Sequence, residues 1–360
     1  MISEEQPTRF NGRLPLVVGR AATAIYAILK SIDAEGGEVL LPANICPAAI
    51  FPVLYAGAQP VFCDVDKITG NVTFETVSSR MENCTRLCCA ILPHMYGNPI
   101  SCMPDIVSML HTHGVYAIED CASAMGACYP NGSQVGSVGD YSVYSFGYSK
   151  TISLGFGGLL VSNVGREFEI QEWLSELPFR DDSVDRYEEF LSRCYRQLRN
   201  LGTISSIESQ SIRAAGEIFK GCFLYMLDAS GEKEVLHALD GLDRVISQRR
   251  DEWAACEKEL NRWNFSSVSL APFSSGAVPW RFNFQVPANR RSELISLFLK
   301  QNLPISDWYP CVAGYFSDEC LYVGALEHGT RICNFPLLVG KQVAVSNVKT
   351  ACEIMYGLGL

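Results

Sequence analysis

Two ionisable side chains stand where this chain could do chemistry. Asp120 closes an apolar segment, VYAIED (115–120), and Lys150 follows a second one, YSVYSF (141–146), inside a Gly/Ser-rich loop. A lysine beside buried apolar chain is uncommon unless it is paired or reactive. Desolvation there lowers the pKa of the amine and frees it to form a Schiff base with an aldehyde. A carboxylate nearby could hold a protonated pyridine nitrogen, which is what pyridoxal phosphate asks of a protein. The 29 residues between the two are not a specific spacing, and on pattern alone a structural Asp–Lys ion pair at a loop is the plainer reading.

Other candidates carry less. Cys46, His94 and Asp120 could make a thiol nucleophile with a base, yet nothing in the sequence places them together. His94 reads as a hydrogen-bonded residue at a strand end, and Asp64 and Asp66 as a strand end and turn rather than metal ligands. The absence of GxGxxG and GxxxxGK removes the main support for dinucleotide and P-loop readings.

The elements that must position Asp120 and Lys150 alternate between residues 15 and 162. Residues 20–33 read as a helix, EVLLP (38–42) as a strand, FPVLYAG (51–57) as a helix closed at Gly57, and QPVFCDV (59–65) as the next strand. LCCAILPH (87–94), a helix around 103–113, VYAIED, YSVYSF and GGLLVSN (157–163) continue the series. Continuous Val/Ile/Leu runs of this kind predict a mostly parallel α/β sheet covered by helices on both faces. Asp64, His94, Asp120 and Ser145 recur at the carboxyl ends of these strands, where such sheets bind ligands. From about 165 to 260 the pattern turns helical, with Arg and Glu of LDRVISQRRDEWAACEKEL expected on the exposed face. A strand (278–286), a helix (290–302) and a last helix near 343–357 complete a smaller α+β unit. The expected partition is a large α/β domain over 1–240 and a small C-terminal α+β domain over 241–360.

Composition bounds the partners. The chain has 360 residues, 48% of them hydrophobic and 19% charged, enough for a large core or two. Twenty-nine Lys+Arg against 39 Asp+Glu leave a net charge of −10, which gives no general reason to bind nucleic acid. The uncharged stretch 39–63 is broken by Pro42, Pro47, Pro52 and Pro60 and reads as strand, loop, buried helix and strand rather than a membrane span. MISEEQPTRF lacks the apolar core of a signal peptide, and 15 scattered cysteines then read as reduced, buried thiols. A cytoplasmic protein with no membrane association is the expectation.

The window from Glu119 to Asn163 narrows the chemistry. EDCASAMGA, VGSVGDYSVYSF and SKTISLGFGG resemble the DegT/DnrJ/EryC1/StrS aminotransferases, a sugar-aminotransferase branch of the fold-type I pyridoxal-phosphate enzymes. That family shows ED-x-A-x-A-x-G, G-x-x-G-D, S-F-x-x-x-K and G-x-G-G. The likeness extends through GGEVLLPA, AGAQPVFCDVD, HMYGNP, LDRVISQRRDEW and RICNFPLL, roughly residues 15–340 in register. It implies a fold-type I transferase with Lys150 as the Schiff-base lysine and proton shuttle and Asp120 as the partner of the pyridine nitrogen. Ser145 matches the serine that binds the cofactor phosphate. Ser123 occupies the position facing the ring hydroxyl, with a helix-capping role as the alternative. The backbone around Ala21 and Ala22, where the family has S-G-T, is implied to take the phosphate at a helix start, with Arg20 adding charge.

Departures from the family pattern concern what faces the substrate. The residue stacked on the cofactor ring is usually aromatic and here is Cys46. Phe156 replaces a glutamate, Trp308 replaces a histidine, and the partner-subunit asparagine tract has no counterpart over 200–235. The resemblance implies a homodimer with interface active sites, a small-molecule amino donor such as glutamate, and a nucleotide-linked keto-sugar acceptor. Arg281, Arg331 and the arginines Arg180, Arg186, Arg193, Arg196, Arg199 and Arg213 are the cations available for its diphosphate, with Trp308 or Tyr309 to stack on it. The competing expectation is an aminotransferase or lyase/decarboxylase acting on a small phosphorylated ketone or amino acid. Lys150 argues against the histidine-bearing sugar dehydratases, and its presence with Asp120 and Ser145 against a non-enzymatic scaffold.

Overall fold

A computed structural model describes residues 10, 12–181, 184, 216–316, 321–338 and 340–360. Its centre is a seven-stranded sheet in the order β1-β7-β6-β5-β4-β2-β3. The strands are β1 (Leu16–Val18), β2 (Glu38–Pro42), β3 (Gln59–Cys63), β4 (Leu87–Pro93), β5 (Tyr116–Asp120), β6 (Tyr141–Ser145) and β7 (Gly158–Ser162). Four of the six neighbouring pairs are parallel; β7 runs antiparallel to both β6 and β1. The mostly parallel sheet expected from the apolar runs is therefore present, with an antiparallel edge that the runs do not reveal.

Burial explains those runs. β6 and β7 are buried at every residue, and β2 to β5 at all but their first one or two. Two groups of helices cover the sheet: α1 (Ala21–Ser31), α2 (Pro47–Tyr55) and α5 (Glu167–Ser175) pack together, while α3 (Phe74–Met81) and α4 (Met103–Thr112) form a second pair. The uncharged stretch 39–63 resolves into β2, α2 and β3, nearly all of it buried. No helix among the described residues is long and apolar enough to cross a membrane. Thirteen cysteines among the described residues are free thiols.

A second core lies towards the C-terminus. There β8 (Arg281–Gln285) pairs antiparallel with β9 (Ile332–Pro336). Helices α8 (Ala288–Lys300) and α10 (Lys341–Gly357) pack on it, burying Phe282, Phe284, Phe298 and Phe335. The preceding α6 is Ala229–Ala238, and α9 is Val323–Arg331. Helix α7 (Leu242–Asn261) joins the two cores: Leu242 and Ile246 belong to the first, Cys256 and Leu260 to the second. Arg249, Glu252 and Glu259 are buried on this helix. This corrects, for these three residues, the expectation that the charged residues of the helix face outward; Asp243, Arg244, Arg250, Asp251 and Lys258 do so. Arg249 falls seven residues from both Leu242 and Cys256, on the apolar stripe itself, and is kept there by hydrogen bonds rather than by water.

Candidate active site

The carboxyl ends of β5 and β6 meet because the strands are parallel neighbours, Asp120 lying opposite Val143. Asp120 and Ser145 thus end on the same rim of the sheet. The loop after β6 carries Gly147, Tyr148, Ser149 and Lys150 back across that rim. Together with the start of α1 and of α2 these residues line a cavity of about 370 Å³. Of the residues singled out in the sequence, Arg20, Ala21, Ala22, Cys46, Asp120, Ser145 and Lys150 line it. Ser123 is not on its wall, but its hydroxyl accepts a hydrogen bond from Lys150 Nζ at 3.5 Å. Residues 122–126 form turns with no helix after them, so the helix-capping alternative for Ser123 does not hold.

Each group has an identifiable environment. Asp120 is only 8% exposed. Burial raises its carboxyl above the usual range, and the Lys150 ammonium and the Ala122 N–H, which donates to Oδ1 at 2.9 Å, pull it back. A carboxylate held this way favours a cationic neighbour. Ser145 Oγ accepts the Gly147 N–H at 3.2 Å, which fixes the hydroxyl at the loop entrance. Helix α1 begins after Arg20 without a side-chain cap, and Ala21 and Ala22 of its first turn line the cavity, their N–H groups bonded to no side chain among the described residues. Arg20 itself donates to the Cys222 carbonyl at 3.1 Å. Burial also raises the Cys46 thiol, with Lys150 lowering it and Asp120 acting the other way.

The loop holding Lys150 is fixed from the C-terminal side. Ser149 sits at φ 62, a left-handed conformation that costs a non-glycine residue roughly 1–2 kcal/mol. Two contacts hold it: Trp280 Nε1 donates to the Ser149 carbonyl, and Arg249 Nη2 donates to the Lys150 carbonyl at 2.8 Å. Arg249 also reaches the carbonyls of Thr151, Pro279 and Trp280. Burial lowers its guanidinium to about 10. The sequence reading missed Arg249; a cation on an apolar helical stripe was the available signal.

Aromatic side chains from the C-terminal segment stand against Cys46. Met95, Tyr96, Trp280, Tyr309 and Ile332 form a small cluster with Cys46 and Trp308 packed on it, and Trp280 stacks on Tyr309 at 5.4 Å. Trp280, Trp308 and Tyr309 line the cavity. Trp308 therefore lies at the cavity rather than in the second core. Phe156 carries the Arg180 guanidinium over its ring at 4.7 Å. Arg281 lines the cavity whereas Arg331 does not; Arg186, Arg193, Arg196, Arg199 and Arg213 lie outside the described residues.

Behind Asp120 sits a buried network centred on Glu119. It accepts from Tyr129 Oη, from His94 Nε2 at 3.1 Å, and from the N–H groups of Gly136, Val138 and Gly139. His94 Nδ1 accepts the Ile100 N–H at 3.1 Å, which sets the tautomer. His94, Glu119 and Cys121 lie close enough to suggest a metal site. The Glu119 carboxylate and His94 Nδ1 are already engaged by these donors, and the Cys121 thiol donates to the Glu119 carbonyl, so the cluster serves as a brace for the end of β5. Asp64 and Asp66 are likewise structural: Asp64 caps α9 at Gly324 and Ala325, and Asp66 accepts the N–H groups of Ile68 and Thr69.

Comparison with known proteins identifies the relatives of this arrangement. Residues 12–348 match the DegT/DnrJ/EryC1/StrS aminotransferase family. The chain is 34% identical over 147 residues to the GDP-perosamine synthase of Escherichia coli O157:H7, covering 41% of this chain and 39% of that protein. It is 39% identical over 142 residues to the UDP-N-acetyl-3-dehydro-alpha-D-glucosamine 3-aminotransferase of Acidithiobacillus ferrooxidans, covering 39% of this chain and 37% of that one. These matches span about two fifths of the curated relatives' length. Among solved structures, 3-amino-5-hydroxybenzoic acid synthase superposes with a TM-score of 0.75 at 19% identity, covering 99% of this chain and 90% of that one. DesI, crystallised with its TDP-sugar product, gives 0.75 at 16% identity, covering 100% and 86%. At such identities the likeness establishes the fold-type I architecture.

Proposed function

The chain belongs to the DegT/DnrJ/EryC1/StrS aminotransferase family, and from that premise we propose that it is a pyridoxal-phosphate-dependent aminotransferase moving an amino group, from glutamate in our reading, onto a nucleotide-linked keto-sugar. The observation that carries this reading is the convergence of Lys150, Asp120, Ser145 and the uncapped start of α1 on one cavity. The donor set fits the cofactor: an amine for its aldehyde, a buried carboxylate for its ring nitrogen, and a hydroxyl with free N–H groups for its phosphate. When bound, pyridoxal phosphate supplies an electrophilic carbon and an electron-accepting ring.

The residues would divide the work as follows. Ala21 and Ala22 contribute backbone N–H groups and Ser145 a hydroxyl to the phosphate, and Arg20 adds charge beside them. Asp120 keeps a proton on the ring nitrogen, a role its desolvated environment favours. Lys150 would hold the cofactor through its amine, and the same Nζ would act as the base and acid for the proton on the substrate carbon that bears the amino group. Ser123 steadies Lys150 Nζ through its hydroxyl. Cys46 leaves one face of the cavity to the Trp280–Tyr309 pair.

Finer parts of the reading stand on the same premise. Residues 1–240 would bind the cofactor and 241–360 form the smaller domain over it. The active unit would be a homodimer in the cytoplasm, its sites completed across the interface, and the net charge of −10 favours neither nucleic acid nor anionic membranes as partners. A small phosphorylated ketone is the competing acceptor. It draws support from the position of Arg331 off the cavity wall, which leaves a diphosphate fewer cations there.

The test is the half-reaction. The purified protein should absorb near-visible light through its cofactor, lose that band with an amino donor, and regain it with a keto acceptor. Borohydride should fix the cofactor on the peptide bearing Lys150. UDP-, GDP- and dTDP-linked keto-sugars against a small keto-phosphate decide the acceptor, and labelling of another lysine would remove the assignment.

A further inference from the structure

Arg281 opens β8 and lines the same cavity as Lys150 and Asp120. Its partners are neutral and distant: Nη1 donates to Ser306 Oγ at 3.3 Å and to Asn334 Oδ1 at 3.5 Å. Ser306 and Asn334 are hydrogen-bonded to each other, and Asn334 Nδ2 donates to the Trp308 carbonyl at 2.7 Å, so these acceptors are fixed in place. The guanidinium carbon lies over the Trp280 ring, 4.6 Å from its centroid, which restrains the side chain on that side. Its Nε is buried without a hydrogen-bond partner. Among the described residues no carboxylate forms an ion pair with it, unlike Arg291, which is bonded to Asp307 at 3.1 Å. A partly desolvated cation with no counter-ion is costly unless something anionic arrives to complete it.

From this geometry we infer that Arg281 is the docking residue for the α-carboxylate of the amino donor. The inference rests on the aminotransferase reading and adds the chemical class of one substrate group and the residue that receives it. An α-carboxylate is attached to the carbon that bears the reacting amine, so it must enter the cavity that holds Lys150. The phosphates of a nucleotide-linked sugar are separated from the reacting ketone by atoms of the sugar ring and need not. A planar guanidinium fork restrained by an aromatic neighbour matches a planar carboxylate, whereas lysine offers only a point charge. Arg281 also balances the site: Asp120 lies in the same cavity and would otherwise repel an incoming carboxylate. The Tyr309 phenol stands within electrostatic reach of both, with burial and Cys46 raising it, Arg281 lowering it and Asp120 raising it.

The experiment compares L-glutamate with its α-amide in the amino-donor half-reaction, followed by loss of the cofactor band. The unaltered protein should half-saturate at about 10- to 100-fold lower concentration with the acid, the size of one charge-assisted contact. Arg281→Met should erase that preference by weakening glutamate far more than the amide, and Arg281→Lys should recover part of it. Calorimetric titration with glutarate, which cannot react, should show binding to the cofactor-loaded protein that Arg281→Met weakens by a similar factor. The cofactor band and the melting temperature of each variant report whether it is folded and loaded. Equal half-saturation by acid and amide in the unaltered protein overturns the inference without any variant. So does an Arg281→Met variant that weakens only a phosphorylated acceptor, with glutamate untouched. A protein that binds the cofactor but accepts an amino group from no amino acid overturns the donor reading itself, and this inference with it.

Discussion

Arg249 and Lys150 are tied through the backbone: a guanidinium on α7 donates to the carbonyl of the lysine that lines the cavity, 99 residues away in sequence. The contact joins the helix that bridges the two cores to the loop that presents the amine. It also places a positive charge on the helical stripe that carries Leu242, Ile246, Cys256 and Leu260 into the two cores. Four backbone carbonyls, of Lys150, Thr151, Pro279 and Trp280, share that charge.

Replacing Arg249 with methionine keeps much of the volume and removes every donor. The four carbonyls would be left without this partner, so a loss of about 2–4 kcal/mol in unfolding free energy is expected, measured by denaturant titration. Cofactor retention on dialysis should fall as well, because the left-handed Ser149 loses a neighbouring restraint. Arg249→Lys should restore little of it, since one ammonium cannot span carbonyls on two segments. An unchanged midpoint for Arg249→Met would show that the network adds nothing to the fold.

Asp120→Asn should move stability and function in opposite directions. The native carboxyl is raised by burial, so the folded protein binds its proton more tightly than the unfolded chain does. Stability is therefore lost as pH rises from the ordinary carboxylate value through the folded one. At neutral pH the cofactor-free asparagine variant should melt higher than the unaltered protein, and the difference should vanish in acid. Cofactor binding and turnover should fall, because an amide cannot hold a proton on the ring nitrogen. A lower melting temperature at neutral pH would contradict the burial argument.

Glu119→Gln tests the brace behind Asp120. Burial would raise Glu119, but the His94 ring, Tyr129 and the Gly139 N–H hold its carboxyl below the usual range. That contribution is present above the ordinary carboxylate value and is lost as pH falls through the depressed folded one. A glutamine amide would point N–H groups at donors, and a cost of about 3–5 kcal/mol is expected in chemical denaturation. The acid limb of the stability profile should flatten. A chelator should leave the melting temperature of the unaltered protein where it was; a drop would mean that His94, Glu119 and Cys121 hold a metal.

Cys46→Phe introduces the aromatic residue common in the family and should nevertheless destabilise. Cys46 packs on the cluster of Tyr96, Trp280 and Tyr309, so a phenyl ring there overfills the space at about 1–3 kcal/mol. Tyr309→Ala should cost about 3–5 kcal/mol alone. Combining the two should cost less than their sum, because each relieves the other. Strict additivity in the double-mutant cycle would show that Cys46 and Tyr309 do not share that space.

Much of this protein is written locally in its sequence. Apolar runs such as VYAIED and YSVYSF bury strands on both faces, and that requirement alone yields the parallel sheet and places Asp120 and Ser145 at its carboxyl rim. Lys150 stood out because a cation so near buried chain needs a reason. The ED, SF and GFGG patterns carried the family likeness because they are short, contiguous and tied to one backbone path. Other features depend on residues far apart in the chain and had no local signature. The pairing of β7 with β1, the burial of Arg249 and the Trp280–Tyr309 wall against Cys46 arise from packing between segments roughly 100 to 260 residues apart. Arg281 reads in the sequence as one more strand-end arginine; only the fold sets it in the cavity, over Trp280, with no carboxylate paired to it among the described residues. Side-chain alternation fixes which face a residue takes, but which distant partner meets it is decided by how the two cores close on each other.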